Sequence, residues 1–538
     1  MNRRYAVGFH WCIMVISVFL FRCTRPADLP DLDAYLKFKL ERDHIPGMAV
    51  AVVSGDRMVW ARGYGLANLD RQTPVTPSTV FGTASITKSL TAAAIFQLEE
   101  AGLLNPEDPV NDYLPFKVQS SWHPEAVLTI EQVLSHTSGI SNGPSLWRIV
   151  GCGDSDISLM EWAEGYFTPG GSFWHPEGNF ERWPPERGFQ YSNAGYGLLA
   201  VIIETVSGMP YSDYIKTRIL EPLEMHESST RVARLDPSLL TQMYEWGDLW
   251  GFEYELIDAD TDTADLKGNP RYTPICAYND PIYGAGSLYS SVRELSNFLI
   301  MIRNRGVFKG KRILSKRAVD AMFSAKVDRE FLPPWFTDLG MGAYGMPLSN
   351  GVPVWGHTGA DPGMSSLMFF ERETDLGIVV LCNRFFDIRD LIAYIYAEAV
   401  PAFSASPETL SPAWSAYTGI RNGKKRPVRQ VTIRVFPDTL PESGAVWVIG
   451  NHPRLGGWIS KGMPLNPASA GIRERTFDFF DSTRLEFKLT RGSWETQETL
   501  PNGQVAPNHS HLVTADTTLI FHVAGWQDTV QKGTMGVQ

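Results

Sequence analysis

Two pairs of short apolar segments lie at the two ends of residues 29–403, and they constrain the fold more than any other feature of the sequence. The first pair, Met48–Val53 and Met58–Gly63, flanks the turn sequence SGDR, and the second pair, 365–371 and 376–383, flanks RETD. Both pairs are typical of β-hairpins. The sequence between them is mainly helical, so strands from both ends are expected to share one antiparallel sheet. This pattern predicts an α+β fold, in which helices flank the sheet and a mainly helical second lobe is added.

The pattern changes after residue 403. Residues 404–430 are rich in Pro, Ser and Gly, which is typical of a linker. Residues 431–528 contain segments such as VTIRVF and RLEFKL, in which apolar and polar residues alternate with a period of two. Turn residues separate these segments, and the pattern predicts an all-β sandwich. A chain of 538 residues has room for both domains.

The chain is acidic, with a formal net charge of −11. A protein that binds nucleic acid needs a basic face, so this charge argues against nucleic acid as a partner. The sequence contains neither His-Glu-x-x-His nor a dense cluster of His and Asp residues, the patterns that would indicate a bound metal. We therefore expect an activity that uses no metal and no other cofactor.

Residues 1–27 are typical of a signal peptide or an N-terminal anchor. Two arginines precede an apolar stretch at Ala6–Phe21, which is shorter than the ~20 residues of a comfortable membrane span. Cys23 follows this stretch as a lipidated cysteine would, but the arginine directly before it fits such a site poorly. The sequence thus predicts an exported protein, periplasmic or extracellular, and leaves the cleavage site and membrane anchoring open.

Three cysteines remain beyond the N-terminal segment, namely Cys152, Cys276 and Cys382. An odd number of widely spaced cysteines is not the pattern of a disulfide scaffold. One bridge among them and three buried free thiols are both compatible with the sequence.

A serine and a lysine stand three residues apart at the start of a long apolar helix. Ser85 and Lys88 precede an Ala-rich segment, and residues at i and i+3 share one helix face. Burial lowers the pKa of a lysine, and a neutral lysine can accept the proton of a serine hydroxyl. The pair is therefore a candidate nucleophile and base. The spacing alone is weak evidence, because Ser85 would also serve as an N-cap and Lys88 as a solvated side chain.

Two further motifs follow along the chain. Tyr191 and Asn193 stand where an extended segment enters a helix, so their side chains are expected to point the same way. His357, Thr358 and Gly359 precede an apolar strand, in a glycine-rich stretch that lets backbone amides approach a ligand. Alone, the first motif is an ordinary helix entry and the second an ordinary turn. The three motifs, in this order and in these local structures, point to an acyl-transfer site.

This constellation resembles the penicillin-recognising serine hydrolases, in particular the class C β-lactamase-like branch. That branch includes D-Ala-D-Ala carboxypeptidases, D-aminopeptidases, class C β-lactamases and a group of carboxylesterases. The segments Leu134–Ile140 (LSHTSGI) and Ala285–Leu299 (AGSLYSSVRELSNFL) are also typical of the branch. The resemblance covers essentially all of residues 29–403 and implies a β-lactamase/transpeptidase-like fold.

The resemblance implies a role for each candidate residue. Ser85 would form the acyl-enzyme, and Lys88 would take its proton. Tyr191 would pass a proton to the leaving group and later help to activate water. Asn193 would bind the amide carbonyl of the substrate, and His357 would polarise the site and shuttle protons.

The resemblance also implies the groups that hold the substrate. The backbone amides of Ser85 and Ala360 would form the oxyanion hole, and Thr358 and Gly359 would line the substrate site. The β-lactamases carry lysine at the position of His357, whereas carboxypeptidase and aminopeptidase members carry histidine. We therefore expect a serine hydrolase acting on a small-molecule or peptide substrate, either D-amino-acid peptides or small esters. The alternatives are a class C-like β-lactamase and a non-catalytic penicillin- or glycan-binding protein.

The C-terminal segments have a resemblance of their own. VWVIGNHPRLGGW and LEFKLTRGSWETQE, followed by PNHSH, are similar to starch-binding carbohydrate modules. In those modules two tryptophans stack on sugar rings, and the matching residues here are Trp458 and Trp494. The resemblance implies a glycan as a further partner. The alternative is a spacer domain in which these tryptophans belong to the core or bind nothing.

Overall fold

The computed structural model describes residues 29–528, with gaps that do not interrupt the main sheet. The gaps are 147–149, 248–255, 258–270, 349, 405–409, 412–413, 415–419, 422–423, 439–444, 457, 459–461 and 469–470. The predicted signal or anchor segment, residues 1–27, lies outside the described residues, as do parts of the predicted linker. No helix within the described ranges is both long and apolar enough to cross a membrane.

Helices and strands alternate up to residue 403, and strands dominate after it. The helices are α1 (Pro30–Arg42), α2 (Thr87–Glu100), α3 (Ile130–Leu134), α4 (Leu159–Phe167), α5 (Asn193–Ser207), α6 (Tyr211–Ile215), α7 (Tyr283–Gly286), α8 (Val292–Arg303), α9 (Lys316–Met322) and α10 (Asp390–Phe403). The strands up to residue 403 are β1 (Gly47–Ser54), β2 (Arg57–Asn68), β3 (Thr73–Pro74), β4 (Phe81–Gly82), β5 (Met243–Trp246), β6 (Tyr272–Ile275), β7 (Tyr289–Ser290), β8 (Val307–Phe308), β9 (Lys311–Arg312), β10 (Asp338–Leu339), β11 (Tyr344–Pro347), β12 (Pro353–Asp361), β13 (Met364–Glu371) and β14 (Leu376–Cys382).

An eight-stranded sheet joins the two ends of this region, in the order β10-β11-β12-β13-β14-β1-β2-β3. The two predicted hairpins are confirmed as β1–β2 and β13–β14. They meet in the middle of the sheet, where β1 and β14 are antiparallel and Val50 lies opposite Val380. The predicted α+β fold with one shared antiparallel sheet is therefore confirmed.

Strand β1 is apolar at nearly every position because both of its faces are covered. Successive side chains of a strand point to opposite faces. Met48, Val50 and Val52 belong to the same buried cluster as residues of α1 and α10, whereas Ala49, Ala51 and Val53 belong to the cluster that contains α2 and α8. The sheet thus lies between two helical layers.

Helix α2 is buried on all sides from Thr87 to Phe96, which explains why small and apolar side chains predominate in it. It packs against α5 and α7 of the helical lobe. The few polar groups on it are paired. The Thr91 hydroxyl, for example, donates to the Gly284 carbonyl at 2.7 Å. This packing fixes the start of α2 against the sheet.

The C-terminal region forms a second, seven-stranded sheet in the order β23-β21-β18-β19-β20-β17-β24. Strand β19 pairs with both β18 and β20, so the sheet curls into one continuous layer around its own core. The predicted all-β architecture is confirmed. The strands after residue 403 are β15 (Ile420–Arg421), β16 (Lys424–Lys425), β17 (Val428–Pro437), β18 (Val446–Gly450), β19 (Met463–Pro467), β20 (Arg473–Phe480), β21 (Arg484–Thr490), β22 (Glu498–Thr499), β23 (His509–Leu512), β24 (Thr517–Val523) and β25 (Gly525–Trp526).

Cys152 and Cys276 form a disulfide bond across 124 positions of the chain. Cys382 is a buried free thiol at the end of β14. The structure therefore selects the single bridge from the two alternatives that the sequence leaves open.

Candidate active site

Ser85 lies where the chain passes from a short strand into the buried helix α2. Strand β4 ends at Gly82, and one 3₁₀ turn, Ala84–Ile86, carries Ser85 to the start of α2. Ala84 has a φ of 44°, in the left-handed region that residues with a Cβ rarely adopt. Backbone of this kind persists only where its surroundings hold it, and it is concentrated at functional sites.

Strand β12 passes this turn at Gly359. A Cβ atom on Gly359 would lie 2.2 Å from the Thr83 carbonyl oxygen and 3.0 Å from the Ser85 nitrogen. Only glycine permits so close an approach. The hydroxyl of Ser366 on β13 donates to the same Thr83 carbonyl at 2.6 Å. The turn that carries Ser85 is thus fixed to the sheet.

Lys88 points from the first turn of α2 to Ser85. Its Nζ lies 3.0 Å from Ser85 Oγ, 2.8 Å from the Asn193 amide oxygen and 2.7 Å from the Ala285 carbonyl oxygen. The last two oxygens can only accept, whereas a hydroxyl can also donate. A neutral amine has two N–H groups and one lone pair. If the two N–H groups serve Asn193 and Ala285, the lone pair remains for the Ser85 proton.

The electrostatic surroundings favour this neutral form. Lys88 is completely buried, and this burial lowers its pKa to about 7, against the opposing effect of the carboxylates of Asp361 and Asp280. Burial also raises the pKa of Asp361 to about 6. Burial and the neighbouring Asp361 raise the pKa of Asp280 to about 7. The site thus holds three groups whose protonation changes near neutral pH.

Tyr191 and Asn193 reach the same point from the start of α5. The Tyr191 hydroxyl is hydrogen-bonded to Ser85, and burial raises the pKa of Tyr191 well above its usual range. Tyr191 is therefore a neutral phenol beside the hydroxyl of Ser85. Asn193 is the first residue of α5, and its amide oxygen faces Lys88 Nζ. The structure brings all four of these predicted residues together.

Two residues of earlier loops hold this segment in place. The Nδ1 atom of His136 accepts the backbone N–H of Ser192 at 3.1 Å, and its ring packs at a centroid distance of 4.6 Å from Tyr191. The amide oxygen of Asn142 accepts the backbone N–H of Asn193 at 2.8 Å. These contacts give the segment Leu134–Ile140 a structural part in the site through His136.

His357 lies on β12, beside Tyr191, with a centroid distance of 6.1 Å between the rings. It is buried, and burial together with the Lys88 charge lowers its pKa to about 3. Its Nδ1 atom lies 2.5 Å from the Thr358 carbonyl oxygen. Since a carbonyl only accepts, Nδ1 carries the proton and Nε2 is the acceptor. The site therefore contains a neutral imidazole at this position.

The other residues of this motif differ in their surroundings. The Thr358 hydroxyl is hydrogen-bonded to the Tyr344 hydroxyl at 2.5 Å, and the same oxygen of Tyr344 accepts the Thr358 backbone N–H at 2.9 Å. Gly359 is buried against the Ser85 turn, and Ala360 is exposed next to it. Thr358 thus holds its strand through Tyr344, while the backbone at 359–360 borders the nucleophile.

Tyr344, Asp280 and Asp361 belong to the site but were not identified from the sequence. Asp361 stands in the same HTGAD stretch as His357, which offered a signal for it. Tyr344 arrives through the pairing of β11 with β12, in which it lies opposite Gly356. Asp280 is brought to the site by the loop that precedes α7. Neither residue has a local sequence signal, because tertiary packing alone brings it to the site.

The two predicted glycan-binding tryptophans lie together in the C-terminal region. The rings of Trp458 and Trp494 are nearly parallel, with an interplanar angle of 24° and 6.0 Å between centroids. Trp494 is 41% exposed, and Trp458 is half-buried. Neither ring belongs to the closed core of the curled sheet.

Comparisons with known proteins place this architecture in a family. The Beta-lactamase family model matches residues 32–400. Penicillin-binding protein 4* of Bacillus subtilis is 32% identical over 266 residues, which cover 48% of this chain and 52% of that protein. Unguisins hydrolase ungD' of Aspergillus campestris is 28% identical over 366 residues, which cover 66% of this chain and 61% of that protein. The chain thus matches roughly half to three fifths of the length of these relatives.

Among solved structures, the octameric penicillin-binding protein homologue from Pyrococcus abyssi has a similar fold. Its TM-score is 0.53 at 23% sequence identity, and the match covers 86% of this chain and 98% of that chain. The family match spans most of the region built on the eight-stranded sheet, including Ser85 and His357. The chain therefore belongs to the Beta-lactamase family.

Proposed function

We propose that the chain is an exported hydrolase that cleaves D-amino-acid amides and peptides, or small esters, through an acyl-enzyme on Ser85. The observation that carries this proposal is the set of three contacts around Lys88 Nζ. Two contacts are to oxygens that can only accept, and the third is to the hydroxyl of Ser85. A neutral lysine in this arrangement is a base whose lone pair faces the hydroxyl proton of Ser85.

In the acylation step, Ser85 Oγ attacks the substrate carbonyl while its proton moves to Lys88 Nζ. The oxyanion forms beside the backbone amides of Ser85 and Ala360, where Gly359 lets β12 approach. The Nδ2 group of Asn193 binds the substrate's amide carbonyl, since its amide oxygen is already engaged by Lys88.

Tyr191 donates the proton that the leaving group requires. Its hydroxyl is hydrogen-bonded to Ser85, and the raised pKa of Tyr191 keeps this hydroxyl protonated until the leaving group departs. Lys88 returns a proton to Tyr191, and the pair then activates the water that hydrolyses the ester to Ser85. His357 presents its neutral Nε2 to this relay as a hydrogen-bond acceptor that carries no charge of its own.

The charges of the site favour an amide or ester over a β-lactam. The position that carries lysine in the β-lactamases holds a neutral imidazole here, His357, so the carboxylate of a β-lactam gains no cation there. Asp361 and Asp280 are half-buried close to Lys88 and favour a positively charged group on the substrate. A free ammonium group, as in a D-aminopeptidase substrate, fits this charge better than a terminal carboxylate.

The disulfide bond between Cys152 and Cys276 supports export. Disulfides form and persist in oxidising compartments and are rare in the cytosol. The apolar segment Ala6–Phe21 after two arginines supports the same proposal. Mass spectrometry of the mature protein would identify its first residue and any lipid on Cys23.

A substrate panel tests the hydrolase proposal. It contains D-phenylalanine amide, a peptide ending in D-Ala-D-Ala, p-nitrophenyl acetate and nitrocefin. We expect the amide and the ester to be turned over faster than nitrocefin. Faster turnover of nitrocefin would favour the β-lactamase alternative, and penicillin labelling of Ser85 without turnover would favour a penicillin-binding protein.

We propose a second function for the curled sheet, as a glycan-binding module. The near-parallel pair Trp458 and Trp494, with Trp494 41% exposed, supports this proposal, because flat indole faces suit the apolar faces of sugars. Retention of the full chain on starch, cellulose and peptidoglycan tests it. No retention on any of them would contradict it.

A further inference from the structure

A cleft of about 720 Å³ lies between the catalytic region and the curled sheet. We call it the interdomain cleft. It is lined on one side by residues that include Arg42, Trp246 and Phe385, and on the other by Ile449 and Trp494. Its volume is in the range of ligand-binding pockets, roughly 300–1,000 Å³. None of its lining residues is part of the candidate active site.

Polar contacts join the catalytic region, which forms one wall of the interdomain cleft, to the curled sheet, which forms the other. Arg454 of the C-terminal region forms an ion pair with Glu398 of α10 at 3.1 Å. Arg42 of α1 donates to the Gly462 carbonyl at 3.2 Å, and its guanidinium lies 5.9 Å from the Trp447 ring centre. These contacts fix the position of the two walls relative to each other, so both walls are in place before a ligand binds.

Exposed aromatic rings are concentrated in the interdomain cleft. Within the described part of the chain, the exposed tryptophan and phenylalanine side chains are Trp335, Phe385 and Trp494. Two of these three line the cleft, Phe385 from the loop after β14 and Trp494 from the loop after β21. Phe385 is 50% exposed and Trp494 is 41% exposed, so each ring has a face available for a ligand.

The charges along the interdomain cleft are balanced. Three cations, Lys39, Arg42 and Arg384, and three carboxylates, Asp43, Asp387 and Glu495, line it. Lys39 and Arg42 both pair with Asp43, at 2.5 and 2.7 Å. A charged ligand, whether an anion or a cation, would find no excess of opposite charge in the cleft. The cleft therefore suits a neutral ligand that offers hydroxyl groups and apolar faces.

One donor of the interdomain cleft lacks a partner among the described residues. The Nε atom of Arg384 is buried without a hydrogen bond, although another nitrogen of this guanidinium donates to the Asp43 carbonyl. An unsatisfied buried donor costs about 1–3 kcal/mol. The Arg384 guanidinium therefore has a hydrogen-bonding capacity that the described residues leave unused.

We propose that the interdomain cleft binds a neutral oligosaccharide, with Phe385 and Trp494 as stacking faces contributed by the two regions of the chain. The proposal rests on the glycan binding proposed above and deepens it, because it makes the catalytic region part of the glycan site. The oligosaccharide passes from the Trp458–Trp494 pair into the cleft. Binding of the glycan then keeps the catalytic region close to the polymer of which the oligosaccharide is a part.

Titration calorimetry with uncharged oligosaccharides tests this proposal on the full chain. The probes are maltoheptaose, cellohexaose and chitopentaose. We expect both Phe385→Ala and Trp494→Ala to weaken binding by about fivefold, the equivalent of one aromatic contact of about 1 kcal/mol. Trp335→Ala is the matched control, because Trp335 is also 41% exposed but lies outside the cleft. It should bind as the unchanged protein does.

The outcomes separate the hypotheses. A loss of binding in Trp494→Ala alone would confine the site to the curled sheet and overturn the two-sided proposal. Binding of a charged polysaccharide such as polygalacturonate in preference to all three probes, or no binding of any probe, would also overturn it. Phe385→Tyr and Trp494→Tyr keep a ring and should retain binding, which separates a lost contact from a lost fold. Turnover of p-nitrophenyl acetate by the same proteins reports the hydrolase function independently.

Discussion

The side-chain amide oxygen of Asn193 accepts a hydrogen bond from Lys88 Nζ at 2.8 Å, across 105 positions of the chain. A neutral amide is therefore the closest side-chain partner of the lysine, closer than the Ser85 hydroxyl at 3.0 Å. A carboxylate in this place would stabilise the ammonium form, whereas the amide leaves the effect of burial dominant. The pKa of Lys88 can consequently lie as low as about 7.

The substitution Asn193→Asp should raise the pKa of Lys88, because it places a carboxylate against Nζ. The base would then be neutral only at higher pH, and the rise of kcat/KM with pH should move toward alkaline values by about one unit or more. The pH profile of p-nitrophenyl acetate hydrolysis measures this shift. Asn193→Ala is the control that removes the amide without adding charge. An unshifted profile in the Asp variant would contradict the assignment of Lys88 as the base.

The unchanged enzyme should gain activity as the pH rises through about 7. Lys88 must be neutral to accept the Ser85 proton, and its pKa is lowered to about 7. His357, with a pKa of about 3, stays neutral over this whole range. NMR spectra of the imidazole of His357 should therefore show no titration at pH values around 6–7, the usual range of a histidine. A His357 titration that coincides with the kinetic pKa would assign the profile to the histidine instead.

Ser85→Ala should abolish turnover and covalent labelling while the fold is kept, since only one hydroxyl is lost. Loss of a nucleophile typically lowers kcat by several orders of magnitude, roughly 10⁶-fold in a well-studied serine hydrolase. Intact-mass spectrometry with a fluorophosphonate measures the labelling. Ser89→Ala, on the same helix, is the control that retains the nucleophile. Label uptake by the Ser85→Ala protein would show that another residue is the nucleophile.

Gly359→Ala should inactivate the enzyme with a smaller effect on the fold as a whole. The added Cβ would lie 2.2 Å from the Thr83 carbonyl oxygen, so β12 and the Ser85 turn must separate. A displacement of about 1 Å at a catalytic group can cost on the order of 10²-fold in rate. Steady-state kinetics and thermal unfolding measure the two effects. Gly151→Ala, where a Cβ meets nothing within 4 Å, is the control. Equal activity of the two variants would contradict this view of the site.

Asp361→Asn should reduce the preference for substrates with a free ammonium group. The comparison is between D-phenylalanine amide and its N-acetyl derivative, which differ in this charge. We expect the ratio of their kcat/KM values to fall by about tenfold, the equivalent of 1.4 kcal/mol. The hydrolysis of p-nitrophenyl acetate, which carries no ammonium, is the reference reaction. A ratio that does not change would show that Asp361 does not select the substrate charge.

The sequence predicted the parts of the site that local spacing encodes. Ser85 and Lys88 are one helical turn apart, and Tyr191 and Asn193 share one helix entry, so each pair can be identified within a few positions. Tyr344 and Asp280 could not be predicted in this way. Tyr344 reaches the site because β11 pairs with β12 in a particular register, and register is a property of the folded sheet.

The pKa of His357 was likewise outside the reach of sequence analysis. Its value depends on complete burial and on the nearby charge of Lys88, neither of which is visible in the HTG motif. The C-terminal region shows a similar limit. Alternation predicted its strands, but the parallel pairing of β17 with β24 and the continuity through β19 depend on contacts far apart in the chain.

The pairing of β1 with β14 has a consequence for how the protein is made. Met48 finds its partner Cys382 only after roughly 330 more residues have left the ribosome, which takes about 20–60 s at typical synthesis rates. Until then β1 lacks β14, its neighbour in the middle of the sheet, and the nascent chain cannot complete its hydrophobic core. Folding of the catalytic region is therefore a late event in biosynthesis, and the nascent chain depends during that interval on whatever shields β1 from premature association.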